Sequence, residues 1–183
     1  MRPLFTIHAG EFLVGEHIER TYPGVKVWVP TKDTGVDLLL TGDSNRRTVS
    51  LQVKFSRDFL ATHMAPEFQK PLRACGWWTL NREKIAHSTA DYWVFVLLGF
   101  ARRSTDYVVI KPQELLTRLT DIHGSPKILQ SYLWVTEKNR CWETRGLAKA
   151  EQSSIADDRY SGGARDFTAH LNDWRCVEQL VRH

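Results

Sequence analysis

Two apolar runs separated by a polar turn constrain this chain more than any other stretch. They are Gly35-Val36-Asp37-Leu38-Leu39-Leu40 and Val49-Ser50-Leu51-Gln52-Val53-Lys54-Phe55. Side chains along a β-strand point alternately to opposite faces. In the second run Leu51, Val53 and Phe55 therefore face one way, and Gln52 and Lys54 the other. Residues 41–47 are rich in turn formers and short enough to close a hairpin. The first run holds one carboxylate, Asp37, among apolar neighbours, and closing the hairpin brings it close to Gln52 and Lys54 on one face.

A carboxylate beside a neutral oxygen donor suits a hard divalent cation such as Mg²⁺. Such an ion lowers the pKa of a bound water and polarises a phosphoryl oxygen. A neighbouring lysine orients that water or meets charge developing on the phosphate. The trio therefore points to phosphodiester chemistry, although a solvated hairpin with an ordinary Gln and Lys on its wet face explains the same letters.

The wider pattern resembles the PD-(D/E)XK nuclease superfamily, the restriction-endonuclease-like fold, over about residues 8 to 56. Its Pro-Asp pair reads Val36-Asp37 here, and its (D/E)-x-K reads Gln52-Val53-Lys54, with Gln52 in place of an acidic residue. Gly10-Glu11-Phe12-Leu13-Val14 resembles the family's first helix, whose glutamate often joins the metal site. The resemblance implies an α/β fold, a central mixed sheet flanked by helices with an αβββαβ core. It implies a Mg²⁺-dependent endonuclease, with Mn²⁺ as a substitute, that hydrolyses DNA. Asp37 would be the main metal ligand and Glu11 an accessory ligand or base. Gln52 would offer its amide oxygen, the Val53 carbonyl would complete the shell, and Lys54 would position the attacking water. Glu16 is the competitor to Glu11, but five residues separate them by about 140° around a helix, so only one faces the site.

At 183 residues the chain reads as a single domain, with the core at about 8–120 and a C-terminal extension at about 121–183. Apolar content of 42% with seven Trp fits a globular protein rather than a low-complexity one. Cys75, Cys141 and Cys176 show no C-x-x-C spacing, which favours a reducing compartment and inert thiols. With no signal-peptide pattern and no apolar run of spanning length, the expectation is a cytoplasmic protein without a membrane segment. The basic excess falls in residues 61–150, with 13 Lys and Arg against 8 Asp and Glu, and permits a nucleic-acid partner. Arg57, Lys70 and Arg73, with His63, are the candidate phosphate contacts. Two other readings use the same residues: a non-catalytic nucleic-acid-binding or assembly module, which Gln52 favours, and an RNA-directed nuclease. A homodimer is one way of making two cuts in a duplex.

In chain order, residues 9–21 read as a helix with Phe12, Leu13 and Ile18 inward, stopped by Tyr22-Pro23-Gly24. Residues 25–29 form a strand, and the loop that follows carries Asp33, a loop cap or a distant site residue. Residues 59–75 read as irregular or weakly helical, 76–80 as a strand on which Trp77 or Trp78 could stack a base, and 82–87 as a short helix. Residues 92–100 form a central strand buried on both faces, 107–110 a strand and 113–119 a helix. Strands at 132–136 and 141–143, a polar loop over 151–163 and a closing helix over 165–182 complete the chain.

Overall fold

The computed structural model describes residues 8–32, 34–57, 64–99 and 103–181. Helix α1 (Ala9–Thr21) leads into a five-stranded sheet of order β1-β2-β3-β5-β6, built from β1 (Lys26–Trp28), β2 (Leu38–Thr41), β3 (Thr48–Phe55), β5 (Tyr92–Gly99) and β6 (Ser104–Ile110). Neighbours are antiparallel except β3 and β5, which run parallel. A second, three-stranded sheet joins β4 (Leu72–Asn81), β7 (Ile128–Thr136) and β8 (Cys141–Glu143). The fold is thus mixed α/β with helices flanking the sheets, but it has two sheets where one was expected.

Three apolar layers hold it together. Between the sheets lie Trp78, Leu80, Trp93, Phe95, Leu97, Val108 and Leu133, closed at one end by α4 (Pro112–His123) through Leu115 and Leu119. The opposite face of the large sheet is covered by α1 and by α6 (Arg175–Val181), through Val14, Ile18, Trp174, Val177 and Leu180. The outer face of the small sheet is covered by α2 (Pro66–Gln69) and α5 (Lys149–Ala156), through Phe68 and Ile155 packed on Trp134 and Trp142. The near-continuous apolar sequence of β5 follows from this burial on both faces. Strand β4 of the small sheet approaches the large sheet so closely that a Cβ on Gly99 would lie 2.4 Å from the Arg73 carbonyl. Glycine is what permits that approach.

Several elements depart from the sequence reading. Helix α1 buries Gly10, Val14 and Ile18, an i, i+4, i+8 stripe, while Phe12 is 60% exposed. Strand β2 begins at Leu38 rather than Gly35, and β4 begins at Leu72 within the stretch expected to be irregular. Helix α5 occupies the expected polar loop; its single buried residue, Ile155, leaves little periodicity to read. The closing helix is only Arg175–Val181. Before it, residues 163–172 run along both sheets, with Phe167 N–H donating to the Cys141 carbonyl (2.9 Å) and Asn172 N–H to the Tyr107 carbonyl (2.6 Å). These sheet contacts limit helix there to two single 3₁₀ turns, Gly163–Arg165 and Thr168–His170. All three cysteines are free and buried, and burial pushes the Cys176 thiol up to about 12. Among the described residues, no helix is long and apolar enough to cross a membrane.

Candidate active site

The site forms where the β2–β3 hairpin comes apart. The last paired residues are Leu38 and Leu51, so Gln52 to Phe55 run on past the start of β2. Asp37 closes the gap. Its N–H donates to the Leu51 carbonyl (2.8 Å), and its Oδ2 accepts from Val53 N–H (2.6 Å). A carboxylate thus takes the place of a strand carbonyl and satisfies a backbone donor that β2 does not reach. On the other side β3 continues in parallel register with β5, Gln52 opposite Trp93 and Lys54 opposite Phe95. Gln52 and Lys54 therefore project on the face that looks toward the small sheet.

Helix α1 enters from the opposite face. Gly10 makes this possible, because a Cβ there would lie 2.6 Å from Phe55 Cβ and 3.2 Å from Val53 Cγ1. The close approach sets the first turn of α1 beside the end of β3. Glu11 Oε2 accepts from His8 N–H (3.2 Å), which fixes the helix start. Glu16 lies round the helix and pairs with Arg20 at 3.7 Å in an exposed i, i+4 contact.

Glu11, Asp37, Gln52, Val53 and Lys54 all line one cleft of about 530 Å³. Its opposite wall is β4 and the short helix after it: Trp78, Thr79, Leu80, Asn81 and Lys84, with Trp93 between. The Lys54 ammonium sits 5.0 Å from the centre of the Trp93 ring, an attraction that restricts a flexible side chain. Trp93 is itself anchored, its Nε1–H donating to Ser88 Oγ (2.8 Å).

The chemistry of this donor set is that of hard oxygens: two carboxylates, one side-chain amide and one strand carbonyl. Among the described residues no group of three or more His, Cys, Asp or Glu is placed to hold a metal. A cation here would rest on two carboxylates with neutral oxygens and water. That set fits Mg²⁺, which binds through one or two carboxylates and keeps several waters, and does not fit soft thiophilic ions.

The candidate phosphate contacts do not gather at this cleft. Arg73 is held by Asp106, with Nε to Oδ2 at 2.8 Å and NH2 to Oδ1 at 2.6 Å, and its side chain is only 18% exposed. Lys70 ends α2 on the surface, and Arg57 follows β3; neither lines the cleft. Trp78 is buried edge-on against Phe95 (5.0 Å), and the Trp77 ring is covered by Arg145, 5.2 Å from its centre. Asp33 and His63 lie outside the described residues. Sequence reasoning missed Asn81, Lys84 and Trp93. Asn81 is a legible helix N-cap, its Oδ1 accepting from Glu83 and Lys84 N–H, but nothing local says that β4 crosses over the site. No protein-family model, curated protein or solved structure matches this chain.

Proposed function

We propose that the protein is a divalent-metal-dependent endonuclease that hydrolyses DNA phosphodiester bonds, built on a restriction-endonuclease-like core. The observation that carries the reading is the single cleft lined by Glu11 of α1, Asp37 just before β2, and Gln52 and Lys54 of β3. The element order supports it: α1-β1-β2-β3, then, after the inserted α2 and β4, the short helix α3 (Arg82–Ala86) and β5 parallel to β3. Asp37, Glu11, the Gln52 amide oxygen and the Val53 carbonyl would hold Mg²⁺ or Mn²⁺. Bound there, the ion would supply Lewis-acid polarisation of the phosphate and a more acidic water. Lys54, restricted by Trp93, orients the attacking water and donates to the phosphoryl oxygen as charge builds on it.

The test is incubation of the pure protein with linear, branched and single-stranded DNA, and with RNA, in Mg²⁺, Mn²⁺ or EDTA. Asp37→Asn keeps an oxygen for Val53 N–H and so keeps the fold, while removing the charge. This variant and Lys54→Met are each expected to abolish cleavage. Glu11→Gln is expected to harm it more than Glu16→Gln. Wild-type rates in Asp37→Asn would end the proposal.

One observation favours a second reading, a nucleic-acid-binding module without catalysis. Gln52 is neutral, and one Asp37 oxygen is already engaged by Val53 N–H. Gln52→Glu separates the two: a nuclease keeps or improves its metal affinity, whereas an inert wild type that gains cleavage is a binding module.

A further inference from the structure

A second cavity of about 460 Å³ adjoins the first and shares Gln52, Asn81 and Lys84 with it. Together they make one groove. It begins at Glu11 and Asp37, passes between Gln52 and Asn81, crosses Lys84 and ends at His87, Ser88 and Thr89 opposite Thr34 and Gly35. We infer that this groove is the track for the nucleic-acid strand that carries the scissile phosphate, and that Lys84 is its principal phosphate contact. The inference rests on the nuclease or nucleic-acid-binding reading of the first cleft and gives that strand a direction.

Charge supports this path. The carboxylate end repels a polyanion, so a strand entering it needs fixed positive charge on the wall just beyond. Lys84 stands there, on the wall common to both cavities. It is exposed, and among the described residues no carboxylate pairs with its ammonium, so the charge is available to a ligand. Among the described residues, Glu83 is the one acidic side chain lining the second cavity. The backbone that carries Lys84 is fixed, because Asn81 Oδ1 caps the first turn of α3 at 2.9 and 3.2 Å. That leaves the Asn81 amide N–H₂ to donate into the groove.

The far end is also polar and preset. Ser88 Oγ accepts from Trp93 Nε1–H (2.8 Å) and from Ala90 N–H (3.3 Å), which leaves its own O–H to donate. Thr89 Oγ–H donates to the Thr34 carbonyl (3.2 Å) and ties the two walls together. Because Trp93 also carries Lys54 on its ring, a strand seated against Ser88 touches the support of the catalytic lysine. Backbone recognition of this kind is indifferent to base sequence.

The test is fluorescence anisotropy in EDTA with a labelled single strand and with a tailed duplex, so that binding is read without cleavage. Lys84→Glu is expected to weaken binding by about tenfold or more at low salt, and Lys84→Ala to flatten the salt dependence by roughly one ion released. Lys149→Glu, a reversal of an exposed residue outside the groove, is expected to change affinity less than about twofold. Ser88→Ala, with its O–H gone, is expected to weaken binding without altering the salt slope. Far-UV circular dichroism checks that each variant is folded. Wild-type affinity in Lys84→Glu, or equal loss in Lys149→Glu, overturns the track even if the protein cleaves DNA. Binding that depends on Lys84 in a protein that cleaves nothing keeps the track and ends the nuclease reading. Failure to bind either probe overturns the track, and the nuclease reading then stands or falls on the cleavage assay alone.

Discussion

Arg73 separates two accounts of the same residue, phosphate contact and structural ion, by a measurable energy. Its guanidinium makes a two-pronged pair with Asp106 on β6, and its remaining nitrogen bonds Asn139 Oδ1 in the β7–β8 turn. Asp106 Oδ1 also accepts from Asn172 Nδ2 at 3.1 Å. One buried knot therefore joins the two sheets to the C-terminal segment. Arg73→Met keeps the aliphatic stem but strands a carboxylate whose side chain is 5% exposed. Breaking a buried pair in this way costs about 3–5 kcal/mol. The surviving Asn172 bond to a charged acceptor offsets roughly 1.5 kcal/mol of that, so the expected loss is about 2.5 kcal/mol. For a chain of this size that is a fall in Tm of roughly 5–10 °C. Asp106→Asn alone also costs stability, but the double variant no longer strands a charge, and a coupling energy of about 2 kcal/mol is expected. Urea unfolding of the four proteins measures the cycle. A loss below about 1 kcal/mol in Arg73→Met, or additivity in the cycle, would refute the structural account. A large drop in DNA affinity with stability intact would restore Arg73 as a phosphate contact.

Gly10 and Gly15 on α1 make a paired test of how the helix sits. Gly10→Ala forces a Cβ into Phe55 and should cost about 1–2 kcal/mol net of improved helix propensity, with loss of whatever Glu11 does. Gly15→Ala meets only Val27 Cγ1 at 3.7 Å and should stabilise by about 0.5–1 kcal/mol; urea midpoints that rank the other way reject the packing described. His17 predicts the response to acid. It lies between the rings of Tyr107 (4.8 Å) and Trp174 (5.2 Å) with Nε2 buried and unbonded. Burial, then the charge of Arg20, lowers its pKa, opposed by Glu16. The unfolded chain therefore takes up the proton first, so this residue leaves stability level above its ordinary value of 6.5 and erodes it as pH falls toward the lowered value. His170 shifts the same way, also chiefly through burial. His17→Phe should shrink the drop in urea midpoint on acidification; an undiminished drop assigns it elsewhere.

Legibility in the sequence followed the range of the forces involved. The β2–β3 hairpin, β5 and α1 could be read because alternation, a long apolar run and a Tyr-Pro-Gly stop are local. The grouping of Asp37, Gln52 and Lys54 followed from strand parity alone, and the structure places all three on one cleft. Placing Glu11 there took the resemblance, because which side of a helix meets a sheet depends on Gly10 clearing Phe55. The second sheet was not legible. Trp77, Trp78 and Leu80 announce a strand, but only tertiary packing decides that β4 pairs with β7 rather than with β5. With β4 misplaced, the wall carrying Asn81 and Lys84 could not be foreseen. Arg73 looked like one more surface cation because its partner is thirty-three residues away in sequence.

The position of Asp37 explains why a cleft opens here and not elsewhere along the hairpin. Two antiparallel strands of equal length would bond all their facing groups and leave no gap. Here β3 outruns β2, and the first unmatched donor, Val53 N–H, must find an acceptor or stay unsatisfied at a cost of about 1–3 kcal/mol. A side chain that reaches back from the residue before β2 satisfies it, and so the chain can bend away at residues 34–37 without penalty. Serine or asparagine would serve that purpose as well. A carboxylate does more, since it keeps a second oxygen, and Asp37 lines the same cleft as Glu11, which α1 brings round the edge of the sheet. The bond that lets the strands part is therefore the same bond that aims the acid, and a site of this kind sits where one strand ends before its neighbour.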